Sequence, residues 1–182
     1  LAVQVTCLLA TLLVVALLSW NPADPSLNAA SSQDPSNWLG ANGALFADLA
    51  MQSLGLAAWP AALLLVAFGL AGAIGDAIQQ RLNPTPIKAL AATAGVLALS
   101  AGLSALAAPA AWPLATGLGG LWGDGISGLI VSALTALRIP GGAIYAALVF
   151  LPLGLWSIGY AVGLRLADLG EGVAWARGLR RP

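Results

Sequence analysis

Charge is scarce in this chain. Among its 182 residues are seven Lys or Arg and seven Asp or Glu, so charged residues make up 8% of the chain and hydrophobic ones 59%. A soluble domain has about 25% charged residues, and fourteen charges are too few to cover the water-facing surface of a domain of this size. A surface that faces lipid needs none. The composition therefore predicts a membrane domain. The zero net charge and the lack of a Lys/Arg cluster before the last few residues argue against a duplex-DNA surface within it.

Histidine is absent, and there is only one cysteine, Cys7, and one lysine, Lys88. The commonest general base and metal ligand is therefore missing, and a single cysteine forms neither an internal disulfide nor a zinc site. Lys88 lies in Pro-Ile-Lys-Ala rather than in a GxxxxGK(S/T) phosphate loop. We expect no catalytic, cofactor-binding or metal-binding residues, so this segment is not expected to be an enzyme. Because the chain begins with Leu1 inside an apolar run, we also expect it to be part of a longer protein.

Four apolar stretches are long enough to cross a membrane, which takes about 20 residues. They are residues 1–18, 56–78, 89–108 and 141–164. The first has no basic flank and no small-x-small cleavage site before Trp20, which favours a retained anchor over a cleaved signal peptide. We therefore predict an all-α membrane protein with four transmembrane helices, in which residues 1–182 form a single membrane domain.

Basic residues lie almost entirely on one side of these spans. Six of the seven fall in the connection 79–88 or in the tail 165–182, and only Arg138 falls in the long connections 19–55 and 109–140. Lys and Arg are concentrated in cytoplasmic loops of membrane proteins. The pattern therefore predicts a cytoplasmic loop at 79–88, a cytoplasmic tail, and two periplasmic loops.

Each predicted periplasmic loop contains an apolar helical pattern, at 43–58 and at 126–137. Both patterns are too short to span before Pro60 or Pro140 intervenes. We predict two short interfacial helices on the periplasmic side, each bending into a span that begins near its proline, because proline is tolerated at the first helical position.

An internal echo accompanies these helices: GALFAD from Gly43 to Asp48 resembles GGLWGD from Gly119 to Asp124. The echo has two interpretations, either two parallel repeat units of the kind seen in some transport proteins or a chance match in a chain rich in Gly, Ala and Leu. Asp48 and Asp124 would lie at the outer interface near helix starts, where a carboxylate accepts bonds from free backbone N–H groups. A role in binding an ion or a proton is the functional alternative.

Tryptophans in the predicted periplasmic loops indicate either an aromatic belt at the membrane interface or a docking face for a partner; they are Trp20, Trp38, Trp112 and Trp122. Small residues in the spans let helices approach closely, and the candidates for helix packing are Gly69, Gly72, Gly95, Gly102, Gly159 and Gly163. No predicted span has an ionisable residue near its middle, which argues against a pump or a conduction path. The sequence therefore favours an anchoring and interaction module, with a small membrane transporter or channel subunit as the alternative.

The segment after the first span, SWNPADPS from Ser19 to Ser26, resembles the S-x-x-P-x-D-P-S signature at the same place in the FtsK/SpoIIIE family of bacterial DNA translocases. The resemblance continues through Asn37-Trp-Leu-Gly40, Gly43-Ala44, Ala47-Asp48 and Gly55-Leu-Ala-Ala58. Together with their counterparts in the second half, the matched positions give our candidate interaction or structural residues: Trp20, Asp24, Pro25, Ser26, Trp38, Gly43, Asp48, Trp122 and Asp124.

This resemblance implies a multi-pass anchor in the bacterial inner membrane that targets a translocase to the division septum and coordinates chromosome segregation with division. In that family a linker and an ATPase motor that pumps double-stranded DNA follow the membrane domain. ATP and Mg²⁺ are therefore expected only for the motor, and double-stranded DNA only through it. The partners that the resemblance implies for this segment are the lipid bilayer, membrane proteins of the divisome and, in a homo-oligomer, further copies of the chain.

Overall fold

The computed structural model describes residues 2–27, 34–71, 80–83 and 85–165, together with 168, 170 and 178. Within these ranges the regular structure is entirely helical, as the composition predicts. The helices are α1 (Ala2–Leu18), α2 (Gly40–Leu54), α3 (Ala58–Leu70), α4 (Pro86–Ser104), α5 (Gly120–Ala136) and α6 (Gly142–Ala161), and one 3₁₀ turn, Gly55–Ala57, joins α2 to α3.

Three helical stretches in the described residues are long and apolar enough to cross a membrane: Gly40–Leu70, Pro86–Ser104 and Gly142–Ala161. A shorter apolar helix covers Val5–Leu18. Each of the four predicted spans therefore overlaps an apolar helix, and residues 72–78 of the second lie outside the described part of the chain.

Several helix boundaries differ from those predicted. The helix of the third predicted span begins at Pro86 instead of residue 89, because the Thr85 hydroxyl accepts the Lys88 N–H and a proline at the first helical position loses only a free donor. It ends at Ser104 instead of residue 108. The fourth helix covers Gly142–Ala161 instead of residues 141–164, and it begins after Gly141, whose φ is +81°.

The two short helices also begin earlier than predicted. Helix α2 begins at Gly40 instead of Gly43 and ends at Leu54, and α5 begins at Gly120 instead of residue 126. Each helix begins at a glycine with φ near +66°, a conformation that costs glycine little. Because glycine adds nothing to the hydrophobic pattern, the pattern did not reveal these starts. Helix α3 begins at Ala58, so Pro60 lies within its first turn rather than at its start.

Small residues fill the interior, and most large aliphatic side chains point outward. The first core cluster consists of Ala16, Leu17, Ala47, Met51, Ala58 and Ala62; the second consists of Ala57, Leu64, Ala92, Val96 and Ala161. Leucines on the spans, such as Leu9, Leu63 and Leu148, are exposed. This distribution is typical of membrane helices, which associate through small residues while larger apolar side chains face the lipid.

Helices α4 and α6 form the most extensive pairing, and they run antiparallel. A Cβ added at Gly95 would lie 2.9 Å from Ile158 Cγ1, and one at Gly102 would lie 2.8 Å from the Leu151 backbone nitrogen. On the facing helix, a Cβ at Gly154 would lie 2.6 Å from the Leu99 nitrogen. Helix α1 meets α3 in the same way, since a Cβ at Gly69 would lie 2.7 Å from Cys7 Cα. Glycine is therefore what allows both pairs of spans to approach this closely.

The other predicted packing glycines have different surroundings. The nearest atom to a Cβ added at Gly159 belongs to Leu164, at 3.6 Å, so this position is not at a helix crossing. Gly163 follows the end of α6 with φ +74° and lies against the Arg81 carbonyl. Gly72 lies outside the described residues.

Candidate functional site

The polar residues of the motifs gather at the end of the bundle where α1 and α4 finish and α2 and α5 begin, which we call the loop end. Asp24 is only 6% exposed there. Its Oδ1 accepts the backbone N–H of Ser36 at 2.9 Å and the Ser36 hydroxyl at 2.8 Å, and its Oδ2 accepts the Asn37 N–H at 2.9 Å. We call this arrangement the Asp24 clip. It closes the first loop by joining residues twelve and thirteen positions apart.

Hydrogen bonding keeps the buried carboxylate of the clip ionised. Burial alone would raise the pKa of Asp24, but bonds from the Ser36 backbone, the Ser36 hydroxyl and the Asn37 backbone more than compensate. The pKa of Asp24 is therefore lowered below its ordinary value. Asp24 acts as a structural anion whose acceptor atoms are already occupied.

Asn37 continues the clip to the end of α1. Its amide donates to the carbonyls of Ala16, at 2.8 Å, and Ser19, at 3.2 Å. These are among the carbonyls that a helix end leaves without partners. The Ser19 hydroxyl in turn accepts the Trp38 N–H at 3.0 Å. A Cβ at Gly43 would overlap the Asn37 side chain, lying 3.0 Å from its Cγ, so close packing against Asn37 requires glycine here.

A second constellation joins the two halves of the chain. The Leu56 N–H donates to the Leu118 carbonyl at 2.8 Å, and the fully buried Ser100 hydroxyl donates to the Gly119 carbonyl. Gly55 has φ +58°, and a Cβ there would lie 2.7 Å from the Gly120 nitrogen. We use the name glycine junction for the site where Gly55 contacts residues 118–120, next to Ser100. Ser100 thus bonds across the fold rather than to its own helix.

Asp124 closes the second loop. Its Oδ1 accepts the Ser104 hydroxyl at 2.6 Å and its Oδ2 accepts the Gly117 N–H at 2.8 Å. It therefore ties the end of α4 to the segment before α5. We predicted that Asp48 and Asp124 cap helix starts, and this is wrong. The N-cap residues of α2 and α5 are Leu39 and Gly119, and neither N-cap has a side-chain hydrogen bond.

Asp48 lies in the middle of α2, 7% exposed, and accepts the Gln52 amide at 2.6 Å. The pair lines a cavity of about 250 Å³ together with Pro22, Ser26 and Thr116, among others. Asp48 is thus an interior residue of the loop end. Among the described residues, the Thr116 hydroxyl oxygen is buried there without a hydrogen-bond partner.

The motif residues therefore divide into interior and surface positions. Trp20 is half-buried against the first core cluster, and Pro25 is also half-buried. The indoles of Trp38 and Trp122 are 72% and 58% exposed. Of the candidate residues that we named, these two tryptophans offer the largest surfaces to a lipid headgroup or a partner. Within the part of the chain that the structure describes, no group of three potential metal ligands occurs.

Sequence reasoning missed three residues that organise this end: Ser36, Asn37 and Ser100. Asn37 stands inside the recognised N-W-x-G segment, and its type is favoured where backbone groups need capping. That segment could have drawn attention to it. Ser100 gave no such signal, because a mid-helix serine usually bonds to its own backbone.

A family model and several known proteins match this chain. The family model described as the 4TM region of DNA translocase FtsK/SpoIIIE matches residues 1–174. The DNA translocase FtsK of Caulobacter vibrioides is 42% identical over 159 residues, which cover 86% of this chain and 19% of that protein. The DNA translocase FtsK of Agrobacterium fabrum is 39% identical over 83% of the chain and 16% of its own length. The DNA translocase FtsK of Rhizobium meliloti is 40% identical over 84% of this chain and 17% of its own length. The chain thus spans about a fifth or less of these relatives, and no solved structure matches it.

Proposed function

The chain belongs to the family of the four-helix membrane region of FtsK/SpoIIIE DNA translocases, and we propose that it anchors such a translocase in the inner membrane and concentrates it at the division septum. There it would help to coordinate chromosome segregation with division. The observation that carries this proposal is the family match over residues 1–174, in a chain whose described residues include three helical stretches long enough to span a membrane and a shorter apolar helix.

We assign DNA translocation, with its ATP and Mg²⁺, to a motor outside this domain. The relatives are named DNA translocases, and the chain corresponds to less than a fifth of the first of them. Within this segment the absence of a phosphate loop from the sequence supports the division of labour. The partners we propose for the domain itself are lipids, divisome membrane proteins and other copies of the chain.

A cytoplasmic and a periplasmic end are supported by the separation of charges. Arg81, Lys88 and Arg165 lie together at one end, and the buried acids lie at the loop end. The helical stretch Gly40–Leu70 has 31 residues, and about 20 suffice for a span. We therefore propose that α2 lies at the periplasmic interface and that α3 enters the membrane.

Fusions to alkaline phosphatase test this topology. The enzyme should be inactive when fused after Arg81 or Arg181 and active when fused after Ser31 or Gly117, because it matures only in the periplasm and the basic residues mark the cytoplasmic side. Fusions of a fluorescent protein that matures only in the cytoplasm provide the converse readout. Phosphatase activity after Arg81 would contradict the topology.

A parallel two-unit repeat is the arrangement we propose for the domain, with α1–α3 as one unit and α4–α6 as the other. In support, the first and last helices of each unit pack through glycine, and both middle helices open on a glycine, with φ +66° at Gly40 and +67° at Gly120. Matching those two glycines shifts the register by four residues from the sequence echo, which pairs Gly43 with Gly119.

Septal localisation gives the functional test, and Trp38 is the surface residue to change. A fluorescent fusion of the domain should concentrate at the septum of a dividing bacterium of its own kind, and Trp38→Ala should reduce the septal signal at least twofold, because exposed aromatics anchor partner surfaces. Trp156→Ala is the matched control: its indole is also exposed, at 65%, but lies within the membrane-spanning helix α6.

Two outcomes would count against this proposal in different ways. Uniform fluorescence of the unchanged domain around the membrane would discard septal targeting and leave a passive anchor. Equal losses for the two tryptophan variants would retain targeting but discard Trp38 as the contact. Membrane content of each fusion, measured by immunoblot after fractionation, separates mislocalisation from degradation.

A further inference from the structure

A basic cavity opens at the end of the bundle opposite the loop end. It has a volume of about 570 Å³ and is lined by Arg81, Lys88 and Arg165 with Tyr160 and Leu164. The structure describes four cationic side chains, and three of them line this one cavity. The fourth, Arg138, lies in the turn between α5 and α6.

Within the described residues, one carboxylate contacts these cations. Arg81 forms an ion pair with Asp168 at 3.2 Å, and the Arg165 backbone N–H donates to the same carboxylate at 2.8 Å. The Arg165 N–H and the charge of Arg81 lower the pKa of Asp168, so this carboxylate stays ionised. Lys88 Nζ donates to the Arg81 carbonyl, which is uncharged. Among the described residues, three cations therefore face one carboxylate at this cavity.

The position of the cavity indicates what kind of anion fits. It lies where α4 begins and α6 ends, and both helices are long and apolar enough to cross a membrane. The N-terminus of α4 adds the positive end of its helix dipole. Leu164 and Tyr160 are exposed beside the cations, so an apolar surface continues directly from the charged one. A ligand with an anionic head and apolar chains matches both surfaces.

We propose that this cavity binds the phosphate group of an anionic phospholipid. The phosphate contacts the three cationic groups, and the acyl chains lie along the apolar surface of α6. A free phosphate ion shares the charged chemistry but gains nothing from the apolar surface. A zwitterionic lipid brings a cation of its own, which the cavity repels.

Lys88 is the only lysine of the chain, so amine acetylation reports on this cavity selectively. The full chain in neutral detergent is treated with a water-soluble acetylating reagent, and the Lys88 peptide is quantified by mass spectrometry with the amino terminus as reference. Phosphatidylglycerol added to the micelles should slow acetylation of Lys88 at least fivefold. Phosphatidylcholine or inorganic phosphate at the same concentration should leave the rate unchanged.

Charge-removing variants locate the effect. Arg165→Gln should raise the phosphatidylglycerol concentration needed for half-protection about fivefold, the change expected for one cation near an anionic lipid surface. Arg81→Gln should weaken protection too, but it also breaks the ion pair with Asp168. Arg165→Gln is therefore the decisive variant, because its side chain makes no hydrogen bond within the described part of the chain. Arg138→Gln is the matched control and should have no effect.

Three results would overturn the proposal. Equal protection by phosphatidylcholine would show that micelle composition, not anionic charge, shields the amine. Protection by inorganic phosphate alone would assign the cavity to a soluble anion. An effect of Arg138→Gln equal to that of Arg165→Gln would show general attraction to a charged micelle.

Discussion

Gly55→Ala is expected to destabilise the domain by about 3 kcal/mol more than Gly40→Ala, through overpacking and the loss of one hydrogen bond. Both glycines have positive φ, +58° and +66°, and Gly55 also has ψ −137°, outside the left-handed helical region that alanine can enter. Space adds to this strain, because a Cβ at Gly55 would lie 2.6 Å from the Leu118 carbonyl carbon and 2.7 Å from the Gly120 nitrogen. At Gly40 it would meet nothing within 4 Å.

Backbone atoms cannot rotate away from such an overlap as a flexible side chain can. Relief requires the glycine junction to open, which breaks the hydrogen bond from Leu56 to the Leu118 carbonyl. Thermal unfolding in detergent, followed by tryptophan emission, measures the difference between the two variants. Equal reductions in Tm would mean that the junction is not tightly closed in solution.

Asp24→Asn is expected to cost about 2 kcal/mol of stability, within the range for a buried, charge-assisted acceptor. Both carboxylate oxygens of Asp24 accept N–H groups, so either orientation of an asparagine amide turns its NH₂ toward a donor. Asp34→Asn is the matched control, because that acid is exposed three residues before Asn37. The control should change Tm by less than 1 °C, and a comparable reduction in both variants would argue against the Asp24 clip.

The variants Asp24→Asn and Asp34→Asn also test how the stability of the domain depends on pH. The pKa of Asp24 is lowered in the folded domain, so its contribution to stability is complete above the ordinary Asp value of about 3.9. The contribution is lost as pH falls below that value and through the lowered folded pKa. Tm of the unchanged domain and of Asp34→Asn should therefore fall more steeply below about pH 4 than Tm of Asp24→Asn. Parallel curves would show that Asp24 is not the group responsible.

Composition and hydropathy pattern were sufficient to predict a helical membrane domain with four apolar segments, because these properties are averaged over about 20 residues. The Thr85-Pro86 start of α4 could also have been read from the sequence, because capping is local, but we predicted a start at residue 89. The role of Asp24 could not be read in this way, because its partners lie twelve and thirteen residues away and loop length does not specify which donors meet it.

The same limit applies inside the membrane. Gly154 and Gly159 both stand in α6, yet only Gly154 meets a facing backbone. Which side of a span faces another helix is decided by tertiary packing, and with apolar residues on all sides the sequence has no period that reveals it. Ser100 shows the same problem, since its bond to Gly119 depends on where α5 begins relative to α4.

The antiparallel pairing of α4 and α6 also determines how the domain resists mechanical force. Its close contacts extend from Gly95 to Gly102, about 10 Å along the helix axis. A pull along α6 acts on all of them simultaneously, as shear, whereas a sideways pull would separate them one after another. The pairing is therefore strongest along the axes of the two helices.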